Sequence, residues 1–275
     1  VIQGIGVYFS SGDSGDEIAN VGLRTVDWPA ASPWVTAVGG TSLAVGASNN
    51  YLFETGWGTT RSTLADCQSQ SQSQTKGKGK SSSSTSTSQC WTPTPPGNYL
   101  YGSGGGTSRI FAQPWYQVGV VPSAIANYFG PAGRAVPDVA MVGDPNTGML
   151  VGQTQTFADG TYYDTYRIGG TSLSSPLFAG LMALADQKAG HPHGFANPAL
   201  YGAAGTSAFR DVVDPASTVA VVRVDYVNGQ NGDDGLRTSL RTMNQTGTLH
   251  TRPGYDDVTG VGTPNGSNFL DALGQ

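Results

Sequence analysis

The stretch Gly169-Gly170-Thr171-Ser172-Leu173-Ser174-Ser175-Pro176 decides how this chain is read. Two glycines let the backbone turn sharply and leave space beside it. Beyond them Leu177, Phe178, Leu181, Met182, Leu184 and Ala185 recur at the spacing of one helical face. Pro176 fits the first turn of that helix, where no hydrogen bond is lost. Ahead of the turn, Leu150 to Phe157 and Tyr162 to Ile168 read as the two strands of a hairpin. Ser172 thus stands at a glycine-lined turn from strand to helix, where unpaired N–H groups and the positive end of the helix dipole converge. A hydroxyl there serves as a nucleophile or as an ordinary helix cap, and the octapeptide alone leaves both open.

Outward from this turn, residues 4–9 run apolar like a central strand and lead into Ser10-Ser11-Gly12-Asp13-Ser14-Gly15. Trp34 to Val38 leads into Gly39-Gly40, and Pro137 to Val142 reads as a further strand. Strands alternating with a helical pattern predict an α/β layered fold with a mainly parallel sheet. Residues 68–89 are too rich in Ser, Gln and Thr to bury anything. They predict a mobile surface insertion rather than a domain boundary. Cys67 and Cys90 bracket it, and a disulfide between them would contribute roughly 3 kcal/mol on the loop-entropy account. Such a pair implies an oxidising compartment.

The 275 residues suffice for one large domain, and the 40 glycines imply many tight turns. Only 12% of residues are charged and the net charge is −5, with no basic stripe to suggest nucleic acid. No run reaches the ~20 apolar residues that span a bilayer. A low, acidic charge balance suits acid surroundings, where ion pairs that need carboxylates become a liability.

Gly170 to Pro176 resembles the Gly-Thr-Ser-x-x-x-Pro turn of the subtilisin clan, and more closely that of the sedolisin, or serine-carboxyl peptidase, family. Tyr8 to Gly15, Trp34 to Thr41, Gly104 to Ser108, Arg134 to Val139 and Gly254 to Pro264 resemble segments of that family in the right order. The resemblance implies a subtilisin-like α/β fold, with a mainly parallel central sheet and helices on both faces. It implies Ser172 as nucleophile of a secreted, extracellular, acid-acting endopeptidase or tripeptidyl peptidase on peptide or protein substrates. Asp13 takes the position where subtilisin-type enzymes carry an oxyanion-binding asparagine. A carboxylate cannot donate a hydrogen bond, so only the protonated acid can fill that role, which ties activity to low pH.

In the family a Glu and an Asp four residues later on one helix supply the base, an i, i+4 spacing that puts both on one face. Glu17 is followed at that distance by Val21 and Glu54 by Gly58, so neither of the two glutamates makes the pair. The base helix is therefore expected upstream of Val1. The chain is then the C-terminal major part (1–275) of one catalytic domain, with an N-terminal fragment or propeptide of the same precursor as partner. His191, His193 and His250 read as surface or turn residues.

The resemblance also implies one structural Ca2+. It would be held by Asp211, the carbonyls of Val212, Arg252 and Gly254, and Asp256, a hard-oxygen set that suits calcium. Arg252 stands where the family often has glycine. Asn228 to Gly235 looks superficially like a second calcium loop but lacks the distal glutamate, and reads as a polar hairpin tip. A neutral subtilisin-type peptidase and a non-catalytic pseudopeptidase or binding module are the competing readings.

Overall fold

The computed structural model describes residues 3–71, 84–226 and 235–274. They divide into two compact units. The larger holds Val1–Thr59, Leu100–Ser217 and Met243–Gln275; the smaller holds Thr60–Tyr99 and Thr218–Thr242.

The larger unit is organised on the strand Thr36–Val45, whose first seven residues are all buried. Small and β-branched residues without polar alternation suit a strand covered on both faces. Tyr8–Ser10 pairs with its start in parallel, Tyr8 opposite Thr36. Val139–Val142 pairs in parallel, Val38 opposite Val139. Tyr51–Gly56 pairs antiparallel with its far end. Two parallel ladders thus meet on this strand, but most ladders among the described residues are antiparallel, so the α/β character is seen without the expected mainly parallel central sheet. One antiparallel ladder is the expected hairpin, Met149–Phe157 with Gly160–Ile168. Its two-residue connection needs no crossover, which is why adjacent strands there run antiparallel.

The helix Thr171–Ala189 buries Phe178, Met182 and Ala185, one stripe at helical spacing. Phe178 meets the ring of Tyr8 from the first strand at 5.5 Å and that of Phe269 from the helix Ser267–Leu273 at 6.1 Å. The helix starts at Thr171, so Pro176 lies inside it rather than in the first turn. A proline there removes one intrahelical bond.

Deeper in this unit, Arg134 and Asp138 are wholly buried as an ion pair. Asp138 Oδ2 accepts from Arg134 (2.6 Å), the Ala37 amide (2.8 Å) and Asn197 (3.2 Å); Oδ1 accepts from Arg134 (2.7 Å) and the Tyr201 hydroxyl (2.8 Å). One carboxylate thereby fastens the Thr36–Val45 strand to the segment that leads into Val139–Val142.

The smaller unit is antiparallel. Ala220–Tyr226 pairs with Leu236–Thr242, which pairs with Gly58–Ser71, which pairs with Ser84–Thr92. The polar stretch expected to be a loose excursion is therefore partly a ladder, running from Thr63 opposite Thr92 to Ser71 opposite Ser84. Backbone pairing does not require apolar side chains, and the Cys67–Cys90 disulfide fastens the two strands. Residues 72–83, and most of the polar tip expected at Asn228 to Gly235, lie outside the described residues.

Candidate active site

The loop after the first strand is held from behind by glycines. Gly102 N–H donates to Asp13 O (2.9 Å), Gly104 N–H to Gly12 O (2.7 Å), and Gly15 N–H to Gly102 O (3.1 Å). A Cβ on Gly104 would lie 2.1 Å from Ser11 O, so only glycine allows this approach. The loop's Asp13 side chain is exposed.

Asp13 reaches the expected nucleophile turn, 158 residues away in sequence. Its Oδ1 accepts the Thr171 amide at 2.7 Å and lies 2.8 Å from Thr171 Oγ1. This contact explains the early helix start. Gly170, the residue before the helix, has φ 87° and no side chain to cap with. A carboxylate from another segment takes the first N–H instead, an N-cap in trans. Gly170 N–H is itself taken by Gly143 O (2.6 Å). That carbonyl is steadied by buried Asp144, which accepts from Ser42 (2.7 Å) and Asn146 N (2.8 Å).

Ser172 follows as the second helical residue and is exposed. Among the described residues, no hydrogen-bond partner is recorded for its N–H. A Cβ on Gly170 would meet Asp13 Oδ2 at 2.8 Å, so the second carboxyl oxygen lies directly over the glycine before Thr171-Ser172. The structure thus brings Asp13 to the Ser172 turn. An exposed hydroxyl, a free N–H and a carboxyl oxygen that can donate when protonated stand on one open turn, an arrangement suited to acyl transfer.

Sequence reasoning missed Asp27. A Cβ on Gly12 would fall 2.1 Å from Asp27 Oδ2, so a second carboxyl abuts the loop that carries Asp13. Burial, and then the charges of Glu17 and Asp13, push Asp27 up to about 6. Glu17 is buried and has φ 64°, a rare conformation for a residue with a Cβ. No sequence motif flags Asp27, which sits in an ordinary Val-Asp-Trp-Pro turn. Another missed pair is Arg24–Asp257, 2.5 Å apart and buried, with the guanidinium 3.9 Å over the Tyr128 ring.

His191 and His250 are exposed, as expected, whereas the His193 side chain is largely buried. His193 lies between Asp186 (2.5 Å) and Leu273 O (2.7 Å), and His250 N–H donates to Asp257 (3.0 Å). None of their recorded contacts is with Ser172 or Asp13. Glu54 is held by Thr41 (2.9 Å) and Thr263 (2.6 Å), and burial raises its carboxyl above the ordinary range.

The expected calcium residues fall in two segments that touch. Asp211 Oδ2 accepts the Gly254 amide at 3.0 Å, and both residues line a cavity of about 400 Å3 with Gly205, Thr206 and Tyr255. Asp256 is wholly buried and accepts from Val258 N (2.8 Å), Thr259 N (2.7 Å) and Thr259 Oγ1 (2.8 Å). Burial pushes its carboxyl up to about 7. Among the described residues no group of three or more His, Cys, Asp or Glu side chains forms a metal cluster. The expected set has only two carboxylates and draws its other oxygens from carbonyls, so its donor chemistry still fits a hard cation.

No family profile matches the chain. Individual proteins do. Kumamolisin of Bacillus sp. (strain MN-32) is 33% identical over 272 residues, covering 98% of this chain and 36% of that protein. Tripeptidyl-peptidase 1 of Canis lupus familiaris is 29% identical over 286 residues, covering 98% of this chain and 38% of that protein. The chain thus spans little more than a third of the length of these relatives. Among solved structures, Pseudomonas sedolisin, a serine-carboxyl proteinase complexed with two molecules of pseudo-iodotyrostatin, aligns with a TM-score of 0.62 at 24% identity. That alignment covers 99% of this chain and 56% of the other, and it speaks for the fold. With matches that run along nearly its whole length, the chain belongs to the sedolisin, or serine-carboxyl peptidase, family.

Proposed function

We propose that these residues carry the nucleophile and the oxyanion acid of an acid-acting serine-carboxyl peptidase, an endopeptidase or tripeptidyl peptidase on peptide substrates. The observation that carries this reading is the 2.7 Å bond from the Thr171 amide to Asp13, which fixes one carboxyl beside Ser172. Ser172 Oγ attacks the scissile carbonyl, and the oxyanion is met by Ser172 N–H and protonated Asp13. An ionised Asp13 would repel that oxyanion, so the rate falls as pH rises.

The base that takes the serine proton is assigned to a carboxylate pair outside these 275 residues. Neither glutamate stands at the required spacing, and Glu54 is engaged by two threonines. Both compact units belong, on this reading, to one catalytic domain whose parallel nucleus is part of a larger parallel sheet flanked by helices. The disulfide fits secretion, and no helix among the described residues is long and apolar enough to cross a membrane. Asp211, the carbonyls of Val212, Arg252 and Gly254, and Asp256 would hold Ca2+, which supplies a charge-neutralising brace between their segments.

The test is Asp13→Ala in the full-length protein. Turnover of a peptide substrate at pH 4 is expected to fall around 10²-fold or more, with the fold intact by circular dichroism. Turnover within a few-fold of the parent, or a flat rate from pH 3 to 8, sinks the reading.

A further inference from the structure

Thr171 is fully buried between two exposed residues of the site, and all its side-chain bonding is spent on the opposing loop. Its Oγ1 accepts from Gly12 N–H at 3.2 Å and lies 3.0 Å from Gly12 O and 2.8 Å from Asp13 Oδ1. A hydroxyl has one proton, so it serves one of those two acceptors at a time. The Thr171 amide, by contrast, is committed to Asp13 Oδ1 at 2.7 Å.

Asp13 Oδ1 therefore always faces the amide donor, and faces the hydroxyl as a second donor whenever its proton is turned away from Gly12 O. That is the environment of a carbonyl-type oxygen rather than of an acid O–H. Among the described residues no hydrogen-bond donor meets Asp13 Oδ2, which lies over Gly170, where the absent side chain leaves it room. A carboxylic acid carries its proton on either oxygen and rotates about its last torsion unless something fixes it. Held by Oδ1, it presents Oδ2–H alone.

We propose that Thr171 is a positioning residue that grips Asp13 by Oδ1, so that the acid form carries its proton on Oδ2 and donates from there to the oxyanion. This rests on the reading of Asp13 given above. It assigns the threonine of the Gly-Thr-Ser turn a role distinct from packing. The hydroxyl orients the acid, and the methyl group does not.

The experiment compares Thr171→Val, which keeps the shape and removes the hydroxyl, with Thr171→Ser, which keeps the hydroxyl and removes the methyl. Both are made in the full-length protein beside Asp13→Ala and assayed on one peptide substrate at pH 4. T171V is expected to lower kcat about tenfold with KM within twofold, because a misoriented donor weakens the transition state and not substrate binding. T171S should recover most of that loss. Thr171→Ala serves as the hydroxyl-free variant if T171V does not fold.

Two results overturn the inference alone while Asp13→Ala still abolishes turnover. In one, the hydroxyl-free variant retains kcat within threefold. In the other, T171S is as impaired as T171V, so that packing matters and the hydroxyl does not. If Asp13→Ala itself stays active, the reading of Asp13 fails and this inference fails with it.

Discussion

Replacing Asp138 with Asn tests what holds the larger unit together. Both side chains of the Arg134–Asp138 pair are at 0% exposure, and the carboxylate accepts five hydrogen bonds. Asn has nearly the same shape, so no cavity is made. Its NH2 group must however replace one oxygen, and each oxygen faces at least two donors. The change sets donor against donor and leaves the Arg134 charge buried without its partner. Breaking a buried pair in this way costs about 3–5 kcal/mol. At ~2–4 °C per kcal/mol for a domain of this size, Tm should fall by roughly 6–20 °C. The assay is thermal and urea unfolding of the full-length protein at pH 5, followed by tryptophan fluorescence. The double variant Arg134→Met, Asp138→Asn removes both charges and keeps one acceptor oxygen for the Ala37, Asn197 and Tyr201 donors, so it should lose less than the sum of the two single variants. A loss of under ~1 kcal/mol for D138N would refute the argument. So would a double variant as poor as the sum of the two singles.

Two further outcomes are expected. Asp27 is raised from 3.8 to about 6, so the folded state holds its proton more tightly than the unfolded chain does. The stability it contributes is full below about pH 3.8 and is lost as pH rises through about 6. Asp27→Asn should therefore stabilise the protein at pH 7, by ~1 kcal/mol once the half-exposed position is discounted, and change little at pH 3. Equal effects at both pH values in unfolding curves would rule this out. If Ca2+ braces Asp211 and Asp256, dialysis against EDTA should lower Tm, by about 2.7 kcal/mol of stability when the metal had stood at 100 times its Kd. An unchanged melting curve, with or without added Ca2+, would remove the calcium assignment.

Much of the fold was legible because its signals are local. The buried run Thr36 to Val38, the hairpin before Gly169 and the apolar stripe Phe178, Met182, Ala185 each follow from a period of two or 3.6 residues. The described ends of the polar stretch after Cys67 pair where a loose excursion was expected, because composition reports what can be buried, whereas a ladder is made by backbone groups that nearly every residue carries. The helix start was misjudged for a related reason. Proline 176 is a local punctuation mark, but the N–H group that opens the helix is satisfied by a carboxyl from a distant loop.

Legible in neighbouring residues were the Gly-Thr-Ser turn proposed to carry the nucleophile, the acidic residue in the loop proposed to bind the oxyanion, the lack of a Glu-x-x-x-Asp pair in these 275 residues and the α/β character. Folding in three dimensions was needed to show that Asp13 grips Thr171 across 158 positions, that Asp27 abuts Gly12, and that Asp138 joins four other residues in one buried network. Hydrogen bonds between such residues depend on the path of the chain between them. No period, spacing or composition of the segments themselves carries that path.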